Sequence, residues 1–213
     1  MKQKDVFLES EGNAWFKRNR DPRVVEGFPE SDPLLSEIVK LPVSQGRTTV
    51  LEIGCSDGIR LEWLMRHGGF DCYGVDPSAE AVSAAKGRGI HAYRETADKL
   101  PFEDRRFDIV LFGFCLYLCD REDLFRIACE ADRVLKNPGW LLILDFFSPT
   151  ASKREYHHYA GLFSYKMDYR TLFSWHPAYA NLTHTVRHHV EHGYTDDRAE
   201  WIATSVLRKN SVA

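Results

Sequence analysis

The chain has 213 residues, of which 44% are hydrophobic and 28% are charged, and its formal net charge is −3. This composition excludes an intrinsically disordered chain, because such chains lack the apolar residues needed to bury a core. General nucleic-acid binders carry an excess of basic residues, whereas this chain is slightly acidic, so we expect no nucleic-acid partner. At about 150 residues per domain, the length predicts one domain with additions.

The sequence also bears on location and redox state. No apolar run approaches the roughly 20 residues of a membrane-spanning helix. The first residues show neither an apolar signal-peptide core nor a small-residue cleavage site. We therefore expect no membrane partner and a cytoplasmic location. The five cysteines are odd in number and lie mostly in apolar stretches, which favours reduced, packed thiols over a disulfide framework.

Residues 1–45 are polar and interrupted, and we interpret them as an N-terminal helical cap on the same domain. A helix is predicted over 4–18 and a second near 31–40. Ser31 or Asp32 is the expected N-cap of the second helix, with Pro33 in its first turn.

From residue 48, short apolar segments alternate with amphipathic segments within a domain predicted to span 46–213. The apolar runs do not alternate with polar residues, as is typical of parallel strands covered on both faces. This pattern predicts an α/β fold, doubly wound around a mostly parallel, seven-stranded sheet. Strands are predicted at 48–54, 70–76, 90–96, 107–114 and 140–147, and helices at 58–69, 78–89 and 121–135, the last ended by Asn137-Pro138-Gly139.

After residue 148 the periodicity weakens. An insertion rich in aromatic residues and histidine is expected at about 149–180. Two strand-like stretches, 181–194 and 200–209, flank an acidic turn and predict a C-terminal antiparallel hairpin on the same sheet.

The most specific motif is VLEIGCSDGIRL, residues 50–61, at the first strand-to-helix turn. Glycine allows a tight turn and a close approach of backbone to ligand, and doubly wound sheets bind ligands at the carboxyl ends of their strands. The dinucleotide fingerprint fails at two of its three positions, where Ser56 and Ile59 replace glycine, and the Gly-Lys-Ser/Thr ending of a P-loop is missing.

The motif instead resembles the acid-x-Gly-x-Gly-x-Gly loop of class I S-adenosylmethionine-dependent methyltransferases, with Ser56 in place of the middle glycine. Asp76, at the end of the second strand, matches the acid that holds the ribose in that family. The stretch ETADKLPFEDRRFDIV, residues 95–110, resembles the family's acid-Ala-acid-x-Leu-Pro-Phe segment, with Thr96 where the acid beside the adenine amino group usually stands. LKNPGW, residues 135–140, resembles the Leu-Lys-Pro-Gly-Gly segment that precedes the fifth strand in that family.

The resemblance covers roughly residues 48–147 and is strongest to the small-molecule branch similar to methyltransferase domain 11. It implies a Rossmann-like methyltransferase fold, with S-adenosylmethionine as cofactor and S-adenosylhomocysteine as product. The loop would surround the methionine half of the cofactor, and the adenine would be bordered by the Thr96 hydroxyl, the Ala97 backbone or Asp98. The cofactor-binding residues so implied are Glu52, Gly54, Cys55, Ser56, Gly58, Asp76, Pro77, Thr96, Ala97, Asp98, Phe112 and Phe114.

The residues that receive the methyl acceptor are less clearly marked. Transfer from a sulfonium needs alignment of the acceptor, and a general base only where the acceptor is protonated. Histidine, with an ordinary pKa of about 6.5, suits that role. Adjacent histidines are expected to face different ways. The candidate catalytic residues are His157, His158 and Tyr117, and the candidate substrate-binding residues are Trp15, Phe16, Arg18, Asn19, Tyr159 and Tyr165.

We expect no metal site. In a strand His184, His188 and His192 would share a face, but each four-residue step spans about 13 Å, too far for one zinc ion. Cys115 and Cys119 are separated by three residues, which is not a recognised spacing of metal ligands. We interpret both as buried small residues.

The sequence therefore predicts an enzyme that methylates a small molecule, on oxygen or nitrogen. A sugar or nucleotide-linked metabolite would suit the polar, histidine-rich insertion. Two alternatives stay open. One is a protein or peptide methyltransferase, suggested only by the acidic turn at Asp196 and Asp197. The other is a non-catalytic regulator that binds S-adenosylmethionine or S-adenosylhomocysteine. No stretch of sequence marks an oligomeric interface.

Overall fold

A computed structural model describes residues 2–19, 32–44, 46–191 and 193–211. Seven strands form one sheet in the order β3-β2-β1-β4-β5-β9-β8, and two form a separate hairpin. The strands are β1 (Thr49–Ile53), β2 (Asp71–Asp76), β3 (His91–Arg94), β4 (Phe107–Gly113), β5 (Leu135–Phe146), β6 (Ser152–Glu155), β7 (Phe163–Lys166), β8 (Tyr179–His188) and β9 (Trp201–Lys209).

The predicted fold class is confirmed. Strands β1 to β5 are parallel, and β9 and β8 complete the sheet in antiparallel pairing. The central strands are apolar on both faces because each face carries its own buried cluster. Leu51 and Val110 belong to one cluster, whereas Val50 and Ile109 belong to the other. This two-sided burial explains why the strands do not alternate in polarity.

Helices cover both faces and extend before the sheet. They are α1 (Gln3–Val6), which continues through a π-helical turn at Phe7–Glu11 into α2 (Gly12–Asn19), and α3 (Pro33–Ile38), α4 (Ile59–Gly68), α5 (Ala79–Gly87) and α6 (Leu124–Val134). The helix predicted over 4–18 is confirmed. Asp32 caps α3 by accepting hydrogen bonds from the Leu34 and Leu35 amides at 2.9 and 3.0 Å. The alternative cap, Ser31, lies outside the described residues.

The boundary between α6 and β5 differs from the prediction. Residues 137–139, expected to end the helix, lie inside β5, which begins at Leu135 and not at residue 140. Leu135 pairs with Phe107, and the register then shifts before Ile109 pairs with Trp140. This irregularity accommodates the proline within the strand, since Pro138 has no N–H for a regular ladder.

The insertion after β5 contains a hairpin that the sequence did not reveal. Strands β6 and β7 pair antiparallel, but all of β6 is exposed and all of β7 is half-buried, so neither has the alternating polarity of a half-buried strand. We call residues 152–166 the inserted hairpin. The C-terminal hairpin, β8 and β9, is confirmed. Among the described residues, the helices are too short and too polar to span a bilayer.

Candidate active site

An open cavity lies at the carboxyl ends of β1, β2 and β4. The N-terminal strap, which we define as residues 2–19, forms its opposite wall. The cavity is lined by Lys4, Phe7, Gly12, Trp15, Ile53, Gly54, Val75, Asp76, Pro77, Glu95, Thr96, Ala97, Asp98, Phe114, Cys115, Leu118, Cys119, Asp120, Asp123 and Ile127.

The loop after β1 forms the floor of this cavity and requires glycine at Gly54. Its φ of +78° lies in the left-handed region, and a Cβ placed there would come within 2.6 Å of the Cys115 Cβ. The Gly54 and Cys55 amides donate to the Val75 carbonyl at 2.9 and 3.1 Å, which ties the loop to β2. Ser56, where the family has glycine, also adopts a positive φ of 49°. Ser56 thus adopts the left-handed conformation that glycine usually provides at such a turn.

Asp76 ends β2 and lines the cavity beside this loop. One carboxylate oxygen accepts the Ser56 amide at 3.0 Å, and the other accepts the Ser78 amide at 2.8 Å. Burial raises the pKa of Asp76 to about 6, although these two amides oppose the shift. Each carboxylate oxygen can accept more than one hydrogen bond. The oriented carboxylate therefore fits the paired hydroxyls of a ribose.

On the far side of the cavity, Asp98 is held by two partners. The Thr96 hydroxyl donates to it at 2.7 Å, and the Lys4 ammonium forms an ion pair with it. Lys4 also contacts Asp123 at 2.8 Å. Burial opposes ionisation of Asp98, but these partners outweigh it and hold its pKa below the ordinary value. Thr96, Ala97 and Asp98 all line the cavity, so the segment predicted to border the adenine faces the expected space.

Glu52 lies beneath the loop and does not line the cavity. It is buried and forms an ion pair with Arg60, which also binds Asp32 at 2.9 Å. Burial raises the pKa of Glu52 to about 7, with Arg60 acting in the opposite direction. One of its oxygens is buried without a hydrogen-bond partner among the described residues. Glu52 thus supports the loop from below, and its direct contact with a cofactor stays a prediction.

The strap is fastened to the sheet by several side chains. The Gln3 and Lys4 amides donate to the two oxygens of Asp120 at 2.9 and 3.0 Å. Further along the strap, the Asn13 amide oxygen accepts the Ser78 hydroxyl at 2.7 Å. These contacts join the strap to residues about 65 to 117 positions away. Lys4, which sequence reasoning missed, belongs to no motif and reaches the site only through this packing.

The predicted substrate-binding residues divide into two groups. Trp15 lines the cavity and donates through its indole N–H to the Tyr117 hydroxyl at 3.1 Å. Arg18 stands outside the cavity lining, where it forms an ion pair with Glu11 and donates to the Tyr156 hydroxyl at 2.9 Å. The others stand back from the cavity: Phe16 is buried in the core, Asn19 donates to the Trp15 carbonyl, Tyr159 is exposed, and Tyr165 stacks under Arg121.

The predicted catalytic residues also lie outside the cavity lining. His157 and His158 are exposed, and their ring centroids are 3.9 Å apart, so the expectation that they face different ways is wrong. They occupy the turn of the inserted hairpin, where side chains do not alternate as they do in a strand. Burial raises the pKa of the Tyr117 hydroxyl, which makes it a poor base. Their catalytic roles stay predictions.

The remaining cofactor predictions divide in the same way. Pro77 and Phe114 line the cavity, whereas Cys55, Ser56 and Gly58 form the loop without facing the cavity. Phe112 is fully buried against Phe173, with ring centroids 6.3 Å apart.

The thiol prediction needs revision, whereas the strand predicted for the histidines is confirmed within the described residues. Cys115 and Cys119 are half-buried and line the cavity, so they contribute to its wall and are not core residues. Their thiols donate to the Ile53 and Cys115 carbonyls at 3.3 Å. His184 and His188 lie in β8, as predicted, and His192 lies outside the described residues.

Comparison with known proteins identifies a known domain within the chain. Residues 51–143 match the family model described as "Methyltransferase domain". The chain therefore contains a methyltransferase domain over these residues, and the match covers less than half of its length. The matched methyltransferase domain contains the Gly54 loop, Asp76 and the Thr96–Asp98 segment, so the residues that carried the resemblance lie within it.

Similar proteins agree with this assignment. A demethylmenaquinone methyltransferase of Tropheryma whipplei (strain Twist) is 32% identical over 104 residues, covering 47% of this chain and 42% of that protein. The chain spans less than half the length of the curated relatives it matches.

The fold is shared with two solved structures. A Burkholderia thailandensis 1,6-didemethyltoxoflavin-N1-methyltransferase aligns with a TM-score of 0.72 and 15% identity, over 97% of this chain and 89% of that one. A Methanosarcina mazei S-adenosylmethionine-dependent methyltransferase aligns with a TM-score of 0.64 and 18% identity, over 79% and 95%. At these identities the likeness shows the fold.

Proposed function

We propose that this protein transfers a methyl group from S-adenosylmethionine to a small-molecule acceptor. The observation that carries the proposal is the convergence of three separate segments on one cavity: the Gly54 loop, Asp76 and residues 96–98. They come from the ends of β1, β2 and β3, where a doubly wound sheet binds ligands.

The residues at the cavity fit the cofactor of the family. Asp76 would accept the ribose hydroxyls, and Thr96 to Asp98 would border the adenine. Gly54 leaves the floor open because it has no Cβ. S-adenosylmethionine, when bound, supplies a methyl group on a sulfonium sulfur. The protein's own part is to orient the acceptor, to exclude water beneath the strap and to leave a path for the acceptor's proton.

The acceptor is proposed to be a small molecule because the strap covers the cavity on the side opposite the sheet. The named activities of two similar proteins support this class: one methylates a demethylmenaquinone, and another was crystallised with 1,6-didemethyltoxoflavin. Transfer balances as a displacement: an acceptor electron pair forms the bond to the methyl carbon, and the broken carbon–sulfur bond leaves its pair on sulfur. A sugar or nucleotide-linked acceptor remains our prediction.

The test is turnover across a panel of acceptors. Purified protein is incubated with S-adenosylmethionine and small molecules that carry hydroxyl, amine or activated carbon centres, and S-adenosylhomocysteine is quantified. We expect acceptor-dependent product from the wild type and about 10- to 100-fold less from Asp76→Asn at subsaturating cofactor. Product formed only with a peptide library would favour the protein methyltransferase. Tight cofactor binding with no acceptor-dependent product would favour the regulator.

A further inference from the structure

An aromatic wall begins at the cavity and extends beyond its lining. It consists of Phe114, Tyr117 and Phe146, at the ends of β4 and β5. The ring centroids of Phe114 and Phe146 are 5.4 Å apart, and those of Tyr117 and Phe146 are 5.0 Å apart. Phe114 itself lines the cavity beside Gly54. The aromatic wall therefore begins at the cavity and leads away from it toward the inserted hairpin.

The inserted hairpin presents a cationic face to this wall. Directly paired residues of an antiparallel hairpin share a face. The pairs Ser152 with Lys166 and Arg154 with Ser164 therefore place two cations and two hydroxyls on one face. The Lys166 ammonium lies 4.8 Å from the Phe146 ring centroid. The cationic face thus continues the surface that starts at the cavity.

The charges on this face are not neutralised locally. Among the residues that the structure describes, no carboxylate lies within ion-pair distance of Lys166 or Arg154. The Lys166 ammonium donates to the Ala199 carbonyl. Partial burial and repulsion by Arg154 lower the pKa of Lys166, although Glu200 and Asp197 attract the charge from farther away. A desolvated cation without a counter-ion is costly, and an anionic ligand would relieve that cost.

The opposite face of the hairpin is different. There Lys153 lies 3.5 Å from the Phe163 ring centroid, so its charge already has an aromatic partner within the hairpin. Tyr165 on the same face stacks under Arg121 at 4.2 Å. The face toward the aromatic wall thus carries two cations, Lys166 and Arg154, whereas the opposite face carries one cation, Lys153, together with the Glu155 carboxylate.

We propose that the methyl acceptor is a ring compound with an attached carboxylate or phosphate, whose ring lies on the aromatic wall and whose anion binds Lys166 and Arg154. This rests on the proposed function, because the wall starts where the cofactor cavity ends. The two residues determine specificity and take no part in the chemical step. Both kinds of acceptor have a flat ring and a negative charge. The probes chosen below distinguish a carboxylate from a phosphate as the source of that charge.

The test uses two pairs of probes titrated calorimetrically into protein saturated with S-adenosylhomocysteine. One pair is 4-hydroxybenzoate and 4-hydroxybenzamide, and the other is uridine diphosphate and uridine. We expect the anionic member of one pair to bind at least about tenfold more tightly than its neutral partner. A difference of that size is what one charge-assisted contact with a desolvated cation contributes to affinity. The carboxylate pair and the phosphate pair tell which anion is recognised.

Two variants locate the effect. Lys166→Met should abolish most of the preference for the anion while leaving S-adenosylhomocysteine affinity and the melting temperature unchanged. Lys153→Met is the matched control on the opposite face and should change nothing.

Four results would overturn the inference: equal binding of charged and neutral probes, no binding of any anionic probe to the saturated protein, retention of the preference in Lys166→Met, or the same loss in both variants. Failure to bind S-adenosylhomocysteine at all is a separate result, which contradicts the proposed function and the inference with it.

Discussion

The two sides of the site are built in different ways. The cofactor side uses the ends of consecutive strands, and its shape depends on backbone conformation at Gly54 and Ser56 and on one carboxylate, Asp76. The proposed acceptor side uses side chains from the strap, from the β4 and β5 ends and from the inserted hairpin. Few residue types can replace those that set a local backbone conformation. By contrast, substitutions on a surface assembled from distant segments can alter which ligand binds there without disturbing the sheet.

This difference has a consequence for mutations. Changes on the cofactor side should weaken the binding of any adenosyl ligand. Changes on the acceptor side should leave that binding intact and alter which molecule is methylated. The effects on ligand binding should be greatest in the loop after β1 and at Asp76, and smaller in the strap that joins the two sides.

The largest effect is expected at Gly54. A side chain there would be strained at φ +78° and would meet Cys115, so Gly54→Val should weaken S-adenosylhomocysteine binding by at least about 100-fold. Calorimetric titration measures the affinity, and thermal melting shows whether the protein folds. Gly87→Ala is the control, because Gly87 has open space around its Cβ position. Wild-type affinity in a folded Gly54→Val would contradict the assigned floor of the cavity.

Asp76→Asn should weaken the binding of S-adenosylhomocysteine by about 10- to 100-fold. The reason is that a hydrogen bond to a charged acceptor is roughly twice as strong as one to a neutral acceptor. The variant keeps the size of the side chain but loses the charge. Asp71→Asn, at the exposed start of the same strand, serves as the control and should bind normally. If both variants bound equally well, Asp76 would not hold the ribose.

Cofactor binding should also depend on pH through Asp76. Its pKa is raised to about 6 by burial, so the carboxylate is ionised above that pH and protonated below it. The dissociation constant for S-adenosylhomocysteine should therefore rise by up to about tenfold per pH unit below 6 and stay level above 7. Calorimetry between pH 5 and pH 8 measures this, and the slope should be reduced in Asp76→Asn. If the dissociation constant of the wild type did not change with pH, protonation of Asp76 would not control ligand binding.

The smallest effect is expected at the strap. Lys4→Met removes the cation shared by Asp98 and Asp123, so S-adenosylhomocysteine should dissociate a few-fold faster, by about the free energy of a partly buried ion pair. Stopped-flow or surface-plasmon measurements give the rate. Lys17→Met provides the comparison, since its pair with Glu80 is largely exposed and such pairs contribute about 0–1 kcal/mol. Equal rates in the wild type and Lys4→Met would show that the strap does not retain the ligand.

The sequence predicted which segments of the proposed cofactor side line the cavity, because the determinants of those segments are local. Apolar runs marked β1, β2 and β4, and Asp76 follows directly from its place at a strand end. Lys4 could not be predicted as part of the site, because its contact with Asp98 joins residues 94 positions apart and neither belongs to a periodic pattern across that gap.

The acceptor side was predicted only in part. Trp15 and Tyr117 were identified because they are aromatic and lie in segments expected to overhang the cofactor, and the structure joins them by a hydrogen bond. The inserted hairpin was missed because its strands are polar and carry no alternation, so only tertiary packing brings Lys166 beside Phe146. Adjacent histidines at the hairpin turn were misread for a related reason, since turn geometry is set by the pairing of strands that the sequence did not reveal.

The central claim is that the cavity beneath the strap binds S-adenosylmethionine, and calorimetric titration of the purified protein tests it most directly. S-adenosylmethionine and S-adenosylhomocysteine are titrated separately, with NAD as the control and Asp76→Ala in parallel. We predict binding of both adenosyl ligands with dissociation constants on the order of micromolar, weakening in the variant and no binding of NAD. Absence of binding by folded wild-type protein, or equal binding of NAD, would contradict the claim.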